Sequence, residues 1–473
     1  MELVTAQKYA FEKFCQGQNL FITGPGGTGK SKLINDFVLH SAKVKNPIQV
    51  TALTGCAAIL LGNSAKTIHS WSGIKTCRGE NTNVIEQVIK NRRIMKNWRS
   101  IKTLIIDEVS MMSVKMFDIL NAIGKIVKHN NKPFGGIQIV LTGDFYQLPP
   151  IETAGDLDSG KFCFESNEWK NTFSYDNHVV LTKIFRQHDE CYIKILNEIR
   201  KGELCEDNIK LLTSYVNRSY NKEEHNGVSL TKLFPIRNSV DFINNSMFKA
   251  LEDEAKTYNM LIDTNNIIYN NTKKSIEEEI VQMCKKAPDF EIENEINFLK
   301  NNTPCVEKLE LKIGATVMCT ANLDIENGIC NGSQGIIIEF VNKVPKVKFT
   351  NNVIMLLDYH TWQSEKYPTI SISQYPLMLA WAITIHKIQG TTLDMAEMDI
   401  GRDVFACGQT YVALSRIRSL EGLYLSGFDP KKIKANAKVK EFYDSIPEND
   451  YKITNVFQSF ANESKKDIKI IKL

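Results

Sequence analysis

The chain has 473 residues, of which 43% are apolar and 24% charged, a composition typical of globular proteins and a length sufficient for about two to four domains. No apolar run approaches the ~18 residues of a membrane helix, and no signal or transit segment is recognisable, so we expect an intracellular protein, cytoplasmic or nuclear. The net charge of +4 permits nucleic-acid binding without arguing for it. The eleven cysteines lack C-x-x-C spacing, which favours reduced thiols over zinc or disulfides.

The first half of the chain alternates short apolar runs with helical patterns. Each run ends at Gly, Thr, Ser or Asp, where a strand would meet a loop. This alternation predicts a parallel sheet with crossover helices, and ligands of such sheets bind at the carboxyl ends of the strands. The predicted strands are Leu20–Ile22, Ile48–Leu53, Leu104–Ile106 and Ile137–Leu141.

The second half is less regular. Residues 252–302 are rich in Asn, Lys and Glu and weakly periodic, which suggests a partly ordered insertion outside the core. Residues 311–372 contain short β-like runs with glycine turns, as in a small β module. Helix and strand character returns at Pro376, and we expect the lysine-rich C-terminus to fray.

A glycine-rich segment, GPGGTGKS, links the apolar run NLFIT to the helical pattern KLINDFVLH. Backbone N–H groups of such a loop wrap phosphate oxygens, Lys30 would reach the β- and γ-phosphates, and Ser31 would ligate Mg²⁺. A glycine-rich turn without a ligand is the alternative, and the strand–loop–helix context disfavours it. The residues predicted to hold the nucleotide here are Gly24, Pro25, Gly26, Gly27, Thr28, Gly29, Lys30 and Ser31.

Polar residues follow two later strands. Asp107 and Glu108 stand at the end of the apolar strand in LIIDEVSMM. In that place Asp107 would hold Mg²⁺, and Glu108 would polarise the attacking water. Gln147 in LTGDFYQLPP is a candidate γ-phosphate sensor. The alternatives are an ordinary solvated acidic pair and a loop glutamine that binds no ligand. The glycine-rich loop earlier in the chain disfavours the first alternative.

Phosphoryl transfer also requires positive charge near the γ-phosphate. Arg186 in LTKIFRQ and Arg416 in YVALSRIRS are the candidates. Each has a surface ion pair as its alternative role.

In this order, these segments resemble the petite-integration-frequency (PIF) family of DNA helicases, in the RecD-like branch of helicase superfamily 1. The likeness runs from about residue 3 to residue 443. It depends on LVTAQ, GPGGTGKS, TALTGCAA, KTIHSWSGI, LIIDEVSMM, FGGIQIVLTGDFYQLPP, LTKIFRQHD, LKIGATVM, NGSQGIII, PLMLAWAITIHKIQGTTLD, GQTYVALSRIRSLEGL, and GFDP followed by KEFY.

The resemblance implies an α/β fold with two RecA-like P-loop motor domains, parallel sheets, and small inserted domains that include an SH3-like β module. The first motor domain would span 1–180, with a small wedge-bearing insert at about 75–98. The remaining regions implied are 181–310 with 373–445 (second motor domain), 311–372 (SH3-like insert) and 446–473 (C-terminal tail).

The resemblance also implies roles for residues around ATP. Gln7 would read the adenine, and Arg186 and Arg416 would be contributed by the second motor domain. Gln389 and Gly390 fall in the motif that links the nucleotide site to DNA. With Lys30, Glu108 and Gln147, the two arginines complete the implied catalytic set.

DNA contacts are implied along the top of both motor domains. Hydroxyls, backbone amides and lysine hold phosphates, while His and Trp offer stacking faces. For His69 and Trp71, packing in the core or in a hinge is the alternative. The implied DNA-binding residues are Thr54, Gly55, Thr67, His69, Ser70, Trp71, His386, Lys387 and Gln389.

The expected function is that of an ATP- and Mg²⁺-dependent 5′→3′ helicase. It would translocate on single-stranded DNA and unwind forked duplexes, as a monomeric motor, in replication, repair or recombination. A non-unwinding translocase or remodelling ATPase, a structural binder with an inactive motor, and an RNA helicase are the alternatives. Arg237, in FPIRNS, departs from the family pattern, and residues 262–302 match nothing in it; their Asn, Lys and Ile richness suits an AT-rich genome, viral or protist.

Overall fold

The computed structural model describes residues 4–62, 65–75, 77–221, 230–235, 237–265, 282, 287–324, 327–329, 331–364, 367, 369–385, 388, 392–401 and 404–446. These residues form two compact units. The first unit comprises the described residues up to Glu203, Ala406–Tyr411 and those from Ile433 onward. The second unit comprises the described residues of Leu204–Phe405 and Val412–Lys432.

The first unit is built on a parallel sheet in the order β3, β2, β4, β5, β1, β6. Strands β1, β4 and β5 are buried along their whole length, as expected for a parallel sheet covered on both faces. Each predicted strand overlaps an observed one, which confirms the predicted sheet. Its strands are β1 Leu20–Thr23, β2 Ile48–Ala52, β3 Lys66–Thr67, β4 Thr103–Asp107, β5 Gln138–Gly143 and β6 His178–Val180.

Several helices begin at capping side chains. Ser113 accepts the Met116 N–H at 3.2 Å, and Asp189 accepts the Tyr192 N–H at 3.1 Å, each satisfying a free helix donor. The helices are α1 Thr5–Cys15, α2 Lys30–Lys43, α3 Gly55–Leu61, α4 Ile68–Ser72, α5 Asn81–Lys90, α6 Arg92–Ser100, α7 Val114–Lys128, α8 Trp169–Thr172, α9 Glu190–Lys201, α10 Glu206–Ser214, α11 Arg237–Ala250, α12 Asp289–Asn302, α13 Gln409–Leu414 and α14 Ala437–Asp444.

Apolar side chains fill both faces of the first sheet. On one face, α1 and α2 contribute Phe14 and Phe37, whose rings stack with centroids 4.1 Å apart. On the other face, Phe117 of α7 packs with Phe145 and Val439 in a larger cluster. The helix α14, near the end of the described chain, therefore belongs to the core of the first unit.

The second unit has its own parallel sheet, in the order β18, β7, β19, β20. An antiparallel sheet in the order β14, β13, β12, β11, β17 forms a separate small β module. Shorter antiparallel pairings join β8 with β10, β9 with β16, and β16 with β15. The strands are β7 Lys232–Phe234, β8 Lys256–Asn259, β9 Leu261–Asp263, β10 Lys308–Leu311, β11 Thr316–Cys319, β12 Gln334–Val341, β13 Val344–Phe349, β14 Ile354–Leu356, β15 His360–Gln363, β16 Ser371–Gln374, β17 Leu377–Leu379, β18 Ala382–Thr384, β19 Ala396–Ile400 and β20 Leu423–Phe428.

The Asn-rich stretch at 252–302 departs from its prediction. Its described residues include β8, β9 and α12, and Leu299 of α12 is buried in a cluster with Trp362 and Ile372. The expectation that the stretch stays outside any core is therefore wrong for these residues. Residues 266–281 and 283–286 lie outside the described part.

Within the predicted β module at 311–372, β11 to β14 form an antiparallel sheet that β17 extends beyond the predicted end. The strands β15 and β16 instead pair in a separate sheet with β9. The SH3-like comparison stays a prediction. Residues 181–203 and 433–446, assigned from sequence mostly to the second motor domain, pack in the first unit. The motor-domain boundaries stay a prediction, because packing alone does not define an evolutionary domain. Of the helices in the described ranges, none is long and apolar enough to cross a membrane.

Candidate active site

The predicted nucleotide and DNA residues of the first unit are brought together along one edge of its sheet. In a parallel sheet all strands end on the same edge, so the loops that follow them are neighbours. In the observed strand order, the loops after β3 and β2 carry the DNA candidates, and those after β4, β5 and β1 carry the nucleotide candidates. This edge is the candidate active site.

The loop after β1 depends on glycine at defined positions. Gly24, Gly27 and Gly29 have φ values of +141°, +83° and +86°, which L side chains rarely adopt. A methyl group at position 24 would lie 2.1 Å from the backbone oxygen of Leu181, and one at position 27 would lie 2.5 Å from Cβ of Arg186. The loop therefore packs against the 181–186 segment so closely that only glycine fits.

Lys30, the first residue of α2, folds back over this loop. Its ammonium donates to the carbonyl oxygens of Gly24 at 2.7 Å and Pro25 at 3.0 Å. Burial lowers the pKa of Lys30, while the charges of Asp144 and Glu108 oppose that shift. A cation held inside a glycine-rich loop suits neutralisation of bound phosphate.

Asp107 is a buried carboxylate at the end of β4. Its Oδ1 accepts hydrogen bonds from the hydroxyl of Thr142 and from the N–H of Glu108 at 2.9 Å. Burial raises the pKa of Asp107 to about 6, and the charge of Glu108 adds to the shift. A carboxylate buried at this desolvation cost is suited to a bound cation, so Asp107 fits the predicted role of a Mg²⁺ ligand.

Gln147 lies beyond β5 and is only 4% exposed. Its Oε1 is buried without a hydrogen-bond partner among the described residues. A buried acceptor left unsatisfied costs about 1–3 kcal/mol, so such a group favours a site that a ligand or water completes. This arrangement supports the predicted sensor role.

Gln7 reaches the glycine-rich loop from α1. Its Nε2 donates to the carbonyl oxygen of Thr28 at 3.2 Å, and its Oε1 accepts the N–H of Val4 at 3.2 Å. The side chain therefore lies beside the loop, as an adenine-reading residue requires, and the adenine contact itself stays a prediction.

The two candidate arginines lie in different units. Arg186 is half-buried beside Gly27, and the neighbouring Phe185 N–H donates to the Gly27 carbonyl oxygen at 2.8 Å. Arg416, in the second unit, is 2% exposed, and its Nε donates to the Val412 carbonyl oxygen at 3.0 Å. Their action on phosphate stays a prediction.

Several residues that pack beside this edge were not predicted from the sequence. Asp144 and Arg200 form a buried ion pair, and Tyr443 of α14 contacts the same group. Tyr411 accepts the N–H of Gly26, in the glycine-rich loop, at 2.9 Å. Asp144, Tyr411 and Tyr443 lie inside the quoted motifs GDFYQ, GQTYVALSR and KEFY, which is the signal that could have marked them.

The loop after β2, which carries two of the DNA candidates, is hydrogen-bonded to the backbone of Asp107. Thr54 Oγ1 accepts the Ala57 N–H at 3.2 Å, and Thr54 and Gly55 lie half-buried at the start of α3. The preceding N–H, of Leu53, donates to the carbonyl oxygen of Asp107 at 3.2 Å. One hydrogen bond therefore links this loop to the Asp107 strand end.

The candidates after β3 divide into accessible and buried groups. Thr67 caps α4 by accepting the Ser70 N–H at 3.3 Å, and Ser70 is exposed. His69 is half-buried, and burial lowers its pKa. Trp71 is 3% exposed and packs on Trp98 with ring centroids 4.8 Å apart. Trp71 is therefore a core residue here, the alternative left open above, and its ring is not available for stacking on a base in this structure.

Four further candidates fall outside the described residues. His386, Lys387, Gln389 and Gly390 belong to this group, so their predicted contacts stay predictions.

Comparison with known proteins identifies the family. The model of the PIF1-like helicase family matches residues 2–210, and that of the Pif1 helicase 2B domain matches residues 295–340. The chain is 31% identical to the Pif1 helicase of Candida albicans, whose structure it matches with a TM-score of 0.70, covering 94% of this chain and 100% of that one. The chain belongs to the PIF1-like helicase family. This confirms the resemblance and the α/β fold of parallel-sheet motor domains.

Other members of the family are similar to this PIF1-like helicase over most of its length. The ATP-dependent DNA helicase PIF1 of Danio rerio is 33% identical over 95% of this chain, which spans 65% of the relative's length. The structure of Bacteroides sp. Pif1 in complex with ADP-AlF4 is 29% identical, with a TM-score of 0.72 and coverage of 94% of this chain and 97% of that one. Bacteroides Pif1 bound to single-stranded DNA matches with a TM-score of 0.59, 29% identity and the same coverage.

Proposed function

We propose that this chain is an ATP-dependent DNA helicase that translocates 5′→3′ on single-stranded DNA and unwinds duplexes. The observation that carries the proposal is the single sheet edge on which Lys30, Asp107 and Gln147 lie in line with Thr54 and Thr67. The backbone N–H of Leu53 donates to the carbonyl oxygen of Asp107, so the loops that carry the two sets are direct neighbours on this edge.

ATP is proposed to bind the loop from Gly24 to Ser31, with Gln7 in contact with the adenine. Ser31 and Asp107 are the residues proposed to hold Mg²⁺, which when bound would neutralise phosphate charge. Two observations fit these groups: the glycine loop in which added methyl groups would clash, and the buried Asp107 carboxylate.

The chain's own residues have distinct proposed roles in hydrolysis. Lys30 binds the β- and γ-phosphates through charge-assisted hydrogen bonds. Glu108 orients and polarises the attacking water. The buried Oε1 of Gln147 accepts a hydrogen bond from the same water. Arg186 and Arg416 stabilise negative charge that develops on the transferred phosphoryl group.

On the DNA side, Thr54, Gly55, Thr67 and Ser70 are proposed to hold the sugar–phosphate backbone, and His69 to offer a stacking face. These contacts are independent of base sequence, as a translocating motor requires. The residues His386, Lys387 and Gln389 are proposed to continue this track. We further propose that the protein works as a monomeric motor in replication, repair or recombination, in the cytoplasm or nucleus.

The test is unwinding of matched duplexes that carry a 5′ or a 3′ single-stranded tail, with an RNA-tailed duplex alongside. We expect the wild-type protein to separate the strands of the 5′-tailed DNA alone, in an ATP-dependent reaction. The Lys30→Ala variant should separate neither duplex. Unwinding only from 3′ tails would overturn the polarity. DNA-stimulated ATP hydrolysis without strand separation would replace the helicase with a non-unwinding translocase.

A further inference from the structure

One hydroxyl group joins the tips of the two strands that carry the glycine-rich loop and Gln147. The Tyr443 hydroxyl lies 2.6 Å from Oγ1 of Thr23, the last residue of β1. It accepts the backbone N–H of Phe145, just beyond β5, at 3.0 Å, and lies 3.3 Å from Oδ1 of Asp144. All four residues belong to the first unit.

The ring that carries this hydroxyl is held firmly in place. It stacks on Tyr146 with centroids 4.8 Å apart and an interplanar angle of 8°. Its helix is anchored by Val439, which is fully buried, and by Phe442, which stacks on Phe164 at 4.3 Å. Tyr443 therefore has little freedom, and its hydroxyl provides a fixed point against which the two strand tips align.

Arg200 completes the group from α9. It pairs with Asp144 through two hydrogen bonds of 2.8 Å, Nε to Oδ2 and Nη2 to Oδ1. Its guanidinium also lies over the rings of Tyr146 and Tyr443, at 4.5 and 5.3 Å from their centroids. Burial raises the pKa of the Tyr443 hydroxyl, so it stays protonated and acts as a neutral hydrogen-bonding bridge.

The two segments that the Tyr443 hydroxyl joins lead directly into the nucleotide site. Thr23 immediately precedes Gly24, the first glycine of the phosphate-binding loop, and Phe145 lies two residues before Gln147. Displacing catalytic groups by about 1 Å can cost on the order of a hundredfold in rate, so a fixed distance between these segments matters.

We propose that Tyr443 is a positioning residue for ATP hydrolysis, whose hydroxyl holds the Gln147 loop in register with the phosphate-binding loop. The inference rests on the proposed function, since it concerns the same nucleotide site. Tyr443 acts through Thr23 and Phe145 and contacts no reacting atom itself.

The test compares Tyr443→Phe with wild type and with Tyr175→Phe, a control at a tyrosine that is 57% exposed in the same unit. Tyr443→Phe keeps the ring and removes only the hydroxyl, leaving the Phe145 N–H without its acceptor. We expect kcat for DNA-stimulated ATP hydrolysis to fall on the order of tenfold, with KM for ATP changed less than about twofold. Thr23→Val should give a similar loss, and the double variant should lose less than the product of the two.

Amide hydrogen exchange of the segment around Phe145 provides a readout that does not depend on activity. We expect faster exchange there in Tyr443→Phe than in wild type or Tyr175→Phe, with a fall of only a few degrees in the melting temperature, as the loss of one buried hydrogen-bonding group predicts. Unchanged exchange and unchanged kcat would overturn the inference, as would equal losses of ATP affinity, kcat and thermal stability. A wild-type chain that hydrolyses no ATP would overturn the proposed function instead, while the exchange data would still decide whether the hydroxyl holds the loop.

Discussion

Asp144 and Arg200 are joined by two hydrogen bonds of 2.8 Å inside the first unit, where the Asp144 carboxylate is fully buried and the Arg200 side chain is 10% exposed. Burial lowers the pKa of Arg200, but the charge and hydrogen bonds of Asp144 outweigh it and leave the pKa above its ordinary value. Arg200 therefore stays protonated, and its two hydrogen bonds to the carboxylate oxygens give the pair the geometry of a salt bridge. Two charges in such a place depend on each other, because neither reaches enough water to be solvated alone.

Removing one partner of this pair should destabilise the fold strongly. Arg200→Met leaves the Asp144 carboxylate buried without a counter-charge, and we expect a loss of about 3–5 kcal/mol in the free energy of unfolding. Urea denaturation measures it. The control is Lys32→Met, which breaks an exposed helical ion pair with Asp36 at 3.4 Å and should cost less than about 1 kcal/mol.

Adding Asp144→Asn to Arg200→Met should recover part of that loss, because the uncompensated charge is then gone. A double variant as unstable as the sum of the two single variants would contradict a coupled pair and indicate two independent packing roles.

Much of the fold around the nucleotide site follows from local sequence. The strands β1, β4 and β5 are predictable because a strand buried on both faces must be a continuous apolar run. The phosphate-binding loop is predictable because its glycines and Lys30 lie in one short segment, so the local sequence determines the loop conformation.

The group behind the site could not be predicted in the same way. Arg200 lies 56 positions from Asp144, and Tyr443 lies 299 positions from it, so nothing local marks the carboxylate as paired. Trp71 shows a related limit: a tryptophan near a strand end suits either base stacking or a core, and only its packing against Trp98 decides between them.

Lys30→Ala should abolish ATP hydrolysis, because it removes the cation that the loop carbonyls of Gly24 and Pro25 now hold in place. Phosphate release in the presence of single-stranded DNA measures this. Lys32→Ala, two residues along the same helix and exposed, is the matched control and should keep wild-type turnover. Wild-type turnover in Lys30→Ala would remove this loop from the proposed mechanism.

Arg416→Ala should reduce ATP hydrolysis far more than ATP binding, because its proposed partner is charge that develops in the transition state. Steady-state kinetics and the affinity for a labelled ATP analogue give the two quantities. Arg418→Ala is the control, since Arg418 is more than half exposed and pairs with Asp394 at 3.3 Å.

The structure defines the competing role for this arginine. Arg416 is buried, donates through Nε to Val412 at 3.0 Å, and donates through Nη2 to the hydroxyl of Ser415 at 3.2 Å. Equal losses of binding and hydrolysis, together with a lower melting temperature, would show that these bonds to Val412 and Ser415 are its function.

His178 should make the stability of the first unit fall as the pH drops. The indole N–H of Trp169 donates to His178 Nε2 at 3.1 Å, and Nδ1 lies 2.9 Å from the carbonyl oxygen of Ser174. Because the indole nitrogen can only donate, Nε2 must accept, which requires a neutral ring with its proton on Nδ1. Burial lowers the pKa of His178, in agreement with this tautomer, although the backbone carbonyls of Ser174 and Tyr175 oppose the shift.

The sign of the effect follows from proton linkage. With its pKa lower in the folded than in the unfolded chain, His178 binds its proton more readily when unfolded, so its contribution is complete above about pH 6.5 and is lost as the pH falls below that value. Urea denaturation of wild type and His178→Gln at pH 7.5 and 5.5 isolates this group, because the other titrating residues are common to both. The stability advantage of wild type should shrink at pH 5.5; an advantage of equal size at both values would mean that the buried ring does not titrate in this range and that its role is packing alone.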